Sequence, residues 1–317
     1  MSRSRFFTSA SLALAISLVA CVDPAVSTAS KSRGAATDAS LDRAGYDVAG
    51  THRQYGTPFT LGNGIVRTYV VLDDGNSGRP LEVGVAMSEQ SLDGLPAGTP
   101  MAGSMSDHSH HVMSNVLLLD LPAQNPTPFK FVQFDWNPNG HEPDSVYTLP
   151  HFDFHFYTVP VEVRNSIVPS DPQYGVKAAN LPAMQYRSSF YIDGATAAGG
   201  IPAASATVPL MGLHWLDVRS PEIQKLAGNP GAWQPFTKTF LRGSWNGQFI
   251  FEEPMITRAY ILAKKTATEP SAIDEIIPLP MAQAYSPAGY YPTAYRVTWD
   301  AQQKEYRIAL TQLRWRE

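Results

Sequence analysis

Leu149-Pro150-His151-Phe152-Asp153-Phe154-His155-Phe156-Tyr157 is the stretch of the 317-residue chain on which its architecture turns. Rings alternate with ionisable groups at a period of two. That period belongs to a β-strand, whose successive side chains point to opposite faces. Phe152, Phe154 and Phe156 then share one face and belong in a core. His151, Asp153 and His155 share the other. Burying three ionisable groups costs several kcal/mol unless they are paired or hold a ligand. The stretch therefore predicts a strand with a greasy back and a chemically active front.

Strand patterns recur on both sides of it. Thr57 to Leu72 and Leu81 to Met87 read as a hairpin across the turn residues Asp73-Asp74-Gly75-Asn76. Ser88 is placed to cap a short helix ending before Gly94. Val112 to Leu121 and Phe129 to Trp136 are further strands, and Pro160 starts a short helix. Gln185 to Ile192 and Thr207 to Asp217 read as strands, and Ser220-Pro221-Glu222 opens a helix that Gly228 ends. Phe236 to Arg242 and Gly247 to Glu253 form a hairpin around Asn246-Gly247. Thr257 to Lys265 fits helix or strand. The chain closes with a hairpin in which Tyr295, Val297 and Trp299 face Tyr306, Ile308 and Leu310. Many short strands and a few short helices predict a mainly β fold, a sandwich or barrel-like one.

Thr148-Leu149-Pro150 with Phe154-His155-Phe156-Tyr157 also aligns with Thr207-Val208-Pro209 and Leu213-His214-Trp215-Leu216. Each copy leads to a proline-initiated helix. The match suggests a duplicated strand-helix unit, with His155 and His214 at equivalent places on neighbouring strands.

The amino terminus has a different character. Arg3 and Arg5 precede an apolar run from Phe6 to Leu18, too short for a comfortable membrane span. Leu18-Val19-Ala20-Cys21 resembles the lipobox of bacterial lipoproteins. That resemblance implies cleavage of residues 1–20, lipidation of Cys21 and attachment to the membrane through lipid. Val22 rather than Asp after Cys21 points to the outer membrane, facing the periplasm or the cell surface. The alternative is an ordinary secretory signal. Residues 21–50 are small and polar, with Tyr46 the only aromatic, and read as a flexible tether. Residues 51–317 read as a single β-rich domain, in one piece or two packed halves. Net charge is −4, which argues against a nucleic-acid footprint. Cys21 is the only cysteine, so no internal disulfide can form.

The chemistry concentrates on histidines and carboxylates. In a straight strand the Cα atoms of His151 and His155 lie about 13 Å apart, at the limit for one shared ion. The expected arrangement is His155 with help from Asp153 or His151, completed by His214 and by Glu253 at a strand end beside Pro254. His141, with Glu142, lies in the turn just upstream and can close over the site. Such a set suits Zn, Fe(II) or Mn. The alternative is that His155 and His214 are core histidines bonded to backbone, with Glu253 a surface acid or a salt-bridge partner. His108, His110 and His111 form a second His-rich tract with metal-binding composition. No Gly-x-Ser-x-Gly elbow and no phosphate-binding Gly-rich loop is present.

Several stretches carry a family resemblance. They are Gly62-Asn63-Gly64 with Arg67-Thr68, Trp136-Asn137-Pro138 with Gly140-His141-Glu142-Pro143, Pro150 to Tyr157, Met211 to Trp215 and Glu253 to Thr257. Through them the chain resembles bacterial exported proteins of unknown function, typified by a sigma-E-controlled thermophile protein. The resemblance implies a β-rich fold and a ring-like homo-oligomer, and it supplies no activity. Three functions follow as expectations. The first is a lipid-anchored envelope protein holding a divalent metal or small ligand. The second is a metal-dependent oxygenase or hydrolase. The third is a structural or stress-envelope protein without metal.

Overall fold

The structure, a computed structural model, describes residues 50–75, 78–97, 115–143 and 145–317. The expected signal peptide, Cys21, the tether and the tract at His108, His110 and His111 lie outside the described residues. The chain begins with β1 (Thr51–Tyr55), β2 (Phe59–Leu61), β3 (Gly64–Asp73) and β4 (Arg79–Ser88). It then crosses to a second sheet through β5 (Asn115–Asp120), β6 (Phe131–Asn137) and β7 (His151–Tyr157). That sheet is completed by β8 (Tyr191–Asp193), β9 (Thr207–Val208), β10 (Gly212–Asp217), β11 (Lys238–Trp245) and β12 (Gln248–Thr257). The chain returns to the first sheet with β13 (Asp274–Pro278). It closes with β14 (Gly289–Tyr291), β15 (Ala294–Asp300), β16 (Glu305–Thr311) and β17 (Arg314–Arg316).

The first sheet runs β1-β3-β4-β16-β15-β13, with β2 on β3, and the second runs β5-β6-β7-β12-β11-β10-β8, with β9 on β10. Every pairing is antiparallel. Neither sheet closes on itself, so the fold is a sandwich and not a barrel. The largest apolar cluster joins Val66, Val83 and Val85 of one sheet to Phe134, Phe152, Phe154 and Phe156 of the other. The three phenylalanines of β7 are fully buried there. Burying each contributes roughly 1.5–3 kcal/mol, so the greasy back of β7 anchors the sandwich.

The expected hairpins form, but the first strand begins only at Gly64, because the chain turns at Gly62, whose φ is 53°, and Phe59–Leu61 folds back on it as β2. The Asn246-Gly247 turn takes φ of 47° and 85°, the left-handed pair that joins antiparallel strands tightly. Thr257 to Lys265 resolves as a helix, Arg258–Thr266, because the Thr257 side chain accepts from the Tyr260 N–H.

Other expectations need correcting. Ser88 does not cap the turn at Glu89–Leu92; its hydroxyl instead accepts from Ile65 N–H. Residues 185–192 supply only the short strand β8 at their end. The helix after Ser220 is one 3-10 turn, Pro221–Ile223. Thr207 to Asp217 is not one strand. It folds back on itself, pairing β9 with β10 around Leu210, whose φ is 62°. Pro209, which lacks an N–H, therefore sits in a turn, while Pro150 precedes an unbroken strand. β7 and β10 are not neighbours either, since β12 and β11 stand between them.

The front of the second sheet is roofed by the chain between its strands. Ile167, Tyr174 and Ala178 pack on Phe131, Tyr157 and Phe251 at one end. Val146, Tyr147, Ile223 and Phe236 pack on Leu216, Leu241 and Met255 at the other. The polar residues lie between these two apolar lids.

Candidate metal centre

β7 lies between β6 and β12, and its register sets the site. Asp153 faces Asp135, His155 faces Gln133 and His151 faces Asn137. On the other side Asp153 faces Met255 and His151 faces Thr257. One residue in two from each strand points to the front, so the sheet presents Asn137, Asp135 and Gln133 beside His151, Asp153 and His155.

The polar residues divide into two groups of three, each with two histidines and one carboxylate. In the first, His141 Nε2 lies 3.3 Å from Asp153 Oδ2, and His151 Nε2 lies 3.2 Å from Asp153 Oδ1. His141 arrives through a sharp turn. Gly140 has φ of 72°, and a Cβ there would stand 2.3 Å from the Tyr147 carbonyl oxygen. The next residue, His141, donates its N–H to that same oxygen at 3.0 Å. Glycine is thus required for the loop to fold back over β7.

In the second group, His155 Nε2 lies 3.3 Å from Glu253 Oε1, and His214 Nε2 lies 3.5 Å from Glu253 Oε2. His155 Nδ1 also lies 3.3 Å from Asp135 Oδ2. His214 comes from β10, three places from β7 and two from β12, and reaches the site because Gly243 opposes it on β11. A Cβ on Gly243 would fall 1.9 Å from the Phe251 ring. The vacancy lets Phe251 lie against both rings, at 4.9 Å from His155 and 5.1 Å from His214. Glu253 is not at a strand end, as its proline neighbour suggests, for β12 runs on to Thr257. The β7–β12 ladder is interrupted at Glu253 and Pro254, which fits the N–H that proline lacks. Register slips between Gly243 and Ser244, leaving Ile250 without a partner. Phe249 therefore turns inward to the core and does not share the face of Glu253.

The separations have a specific meaning. Two atoms bound at 2.0–2.1 Å to one tetrahedral ion lie about 3.3 Å apart. Good charged hydrogen bonds are shorter, about 2.7–2.9 Å. His151 Nε2, Asp153 Oδ1, both ring nitrogens of His155, Glu253 Oε2 and Asp135 Oδ1 are sealed from solvent without a hydrogen bond among the described residues. Six such atoms in one place are unusual, because buried polar atoms are nearly always bonded.

Tautomers sharpen this. His151 Nδ1 is 2.6 Å from the Leu149 carbonyl oxygen, and His141 Nδ1 is 2.6 Å from that of Glu142. A carbonyl only accepts, so each Nδ1 carries the proton. In a neutral ring Nε2 is then a bare lone pair aimed at a carboxylate. Two acceptors facing each other need a cation between them. Anchoring the far nitrogen of a histidine to a carbonyl is also how metal-binding rings are oriented. His214 has a backbone hydrogen bond to Gly212 that anchors its ring in the same way.

The charge states differ between the groups. Burial opposes ionisation of Asp153, yet His151 and His141 hold its carboxyl well below the usual range. Burial also works against a charge on His141, but Asp153 outweighs it and raises its pKa. In the second group burial dominates. It pushes His155 down to about 3 and His214 down to about 4. Burial, then Asp153 and Asp135, push Glu253 well up. Burial followed by the charge of Asp153 raises Asp135 to about 7.

All six residues expected from sequence lie on this front, but in two groups. His151 and His155 do not share a group, as their reach implies. The correction concerns Asp153, which serves His141 and His151 and not His155. His155 has Asp135 instead. Asp135, Gln133 and Asn137 escape a reading focused on histidines. Their signal was the same period of two, carried through Phe131, Gln133, Asp135 and Asn137. Asn137 Nδ2 donates to Asp153 Oδ2 at 2.7 Å, and Gln133 Nε2 donates to Asp135 Oδ2 at 2.8 Å. Arg164 Nε in turn donates to Gln133 Oε1 at 2.8 Å. Solvent reaches the groups only at their histidine ends, where the His141 and His214 side chains are 10% and 18% exposed.

No curated protein and no solved structure matches the chain. Residues 75–136 match a family model described as TTHB210-like, hypothetical protein TTHB210. The match runs from the β3–β4 turn to β6 and so includes Asp135 while ending before His141. An uncharacterised family is what this chain is similar to there.

Proposed function

We propose that the protein holds divalent transition-metal ions at these two groups, one formed by His141, His151 and Asp153 and the other by His155, His214 and Glu253. The observation that carries the reading is the spacing of the ligand atoms at 3.2–3.5 Å, with His151 Nε2, Asp153 Oδ1, His155 Nε2 and Glu253 Oε2 buried without a hydrogen bond among the described residues. Two histidines and one carboxylate suit Zn, Fe(II) or Mn. A bound ion would supply the positive charge that the facing acceptors lack. The residues beside the groups then act as supports: Asn137 and the Leu149 carbonyl hold the first, Asp135 and the Gly212 backbone the second.

Storage, sensing or scavenging of metal in the cell envelope follows if the chain is exported and lipidated at Cys21. Support for that part is the Leu18-Val19-Ala20-Cys21 sequence alone. A second reading, a metal-dependent oxygenase or hydrolase, has one observation in its favour. Each group has three protein ligands, which leaves coordination positions for water or substrate.

Elemental analysis of protein purified without a histidine tag tests the metal reading. Reconstitution should give about two equivalents, and metal should raise the melting temperature. Less than about a tenth of an equivalent of any transition metal after reconstitution sinks it.

A further inference from the structure

On the other side of β12 lies a separate cavity of about 220 Å³. Arg242 and Glu252, cross-strand partners on β11 and β12, form its polar wall. They are 1% and 3% exposed. Arg242 Nε donates to Glu252 Oε2 at 3.0 Å, and its Nη2 donates to the Tyr285 hydroxyl at 3.3 Å. Glu252 Oε1 and Arg242 Nη1 have no such bond among the described residues. Neither is sealed off, so both open onto the cavity. Tyr186, Phe249, Tyr285 and Tyr291 supply aromatic walls. The half-buried Ala284 and the exposed Ser286 stand at the mouth.

We propose that this cavity binds a small zwitterion of the α-amino-acid class, its carboxylate on Arg242 and its ammonium on Glu252 between the aromatic rings. The wall offers one free donor and one free acceptor of opposite charge side by side. An anion alone would meet Arg242 but crowd Glu252, and a cation alone would do the reverse. A molecule with both charges on neighbouring atoms satisfies both, and a low-dielectric wall strengthens each contact. Aromatic faces attract an ammonium group as well. Volume limits the size. At roughly 30 Å³ per water the cavity holds the equivalent of about seven. That suits an amino acid, while drug-sized sites run about 300–1,000 Å³. The cavity does not depend on the metal reading, because Glu252 and Glu253 point to opposite faces of the sheet.

Calorimetric titration of the full chain with each of the common L-amino acids tests the proposal. At least one should bind with a Kd below about 1 mM, and its N-acetyl and methyl-ester forms should each bind at least about tenfold more weakly. Glu252→Gln should weaken binding by a similar factor. Removing one charge of a buried pair can itself unfold the chain, so Ala284→Phe at the mouth is the deciding variant. It should abolish binding while leaving the melting temperature and the metal content unchanged. The proposal fails if no amino acid binds at about 10 mM. It also fails if the N-acetyl form binds as well as the parent, or if binding survives in folded Ala284→Phe.

Discussion

The two histidine–carboxylate groups share a composition and differ in almost everything else. His141, His151 and Asp153 come from one short piece of chain, and two ring nitrogens are fixed by carbonyls beside them in sequence. His155, His214 and Glu253 come from three strands and meet only when the whole sheet has formed. The first group keeps its charges, with Asp153 ionised against a histidine whose pKa is raised. In the second, burial works against every charge, holding His155 at about 3 and His214 at about 4 and pushing the Glu253 carboxyl well up. Identical ligand sets thus meet an ion on different terms. At the first, the ion meets a carboxylate that the neighbouring histidines already keep ionised. At the second, it must bring its charge into a buried place that disfavours an ionised Glu253.

The largest effect should come from removing one carboxylate at a time. Glu253→Gln should empty the second group and leave the first loaded, and Asp153→Asn should do the opposite. Affinity at the damaged group should fall by about two orders of magnitude or more, read by elemental analysis after dialysis against a weak chelator. Loss of all metal in either variant would mean that the groups work as one site. Next in size is Gly243→Ala. Its new methyl meets the Phe251 ring and should cost about 1–3 kcal/mol in urea unfolding. It should also weaken metal at His155, His214 and Glu253 and spare the first group. Equal weakening at both would mean that the two groups are not independent.

The smallest effect concerns the acid that stands between the groups. Asp135 has its pKa raised to about 7 in the folded chain, against an ordinary value of 3.8. The folded state therefore keeps a proton that the unfolded state releases. The stability tied to that proton is full below about pH 4 and is lost as pH rises through about 7. Asp135→Asn should remove this loss. Between these limits metal-free wild type should lose stability relative to the variant by at most about 1.4 kcal/mol per pH unit. Parallel pH profiles would show that Asp135 ionises in the folded protein as it does in water.

Much of this could be read from the chain itself. The alternation at 149–157 identifies β7, its buried face and its reactive face, because period-two patterning is a local property. Strand rise alone separates His151 from His155. Other features are set by tertiary pairing and have no local mark. Asp135 becomes a partner of His155 only through the β6–β7 register. His214 reaches the front because Gly243 on the adjacent strand leaves room, and nothing near residue 214 announces that. The turn at Leu210 shows the same limit, since apolar residues on both sides of Pro209 read as one strand until β10 supplies a partner for β9.

Glu252 and Glu253 are consecutive residues of one strand, and their side chains leave it in opposite directions. A single peptide unit therefore joins the amino-acid cavity to the second histidine group. Rotation of β12 about its own axis would carry the two carboxylates as the ends of a seesaw. Such a rotation would turn a pull on Glu252 toward Arg242 into a tilt of Glu253 against His155 and His214. By thermodynamic reciprocity, whatever free energy passes one way through that pivot passes equally the other way.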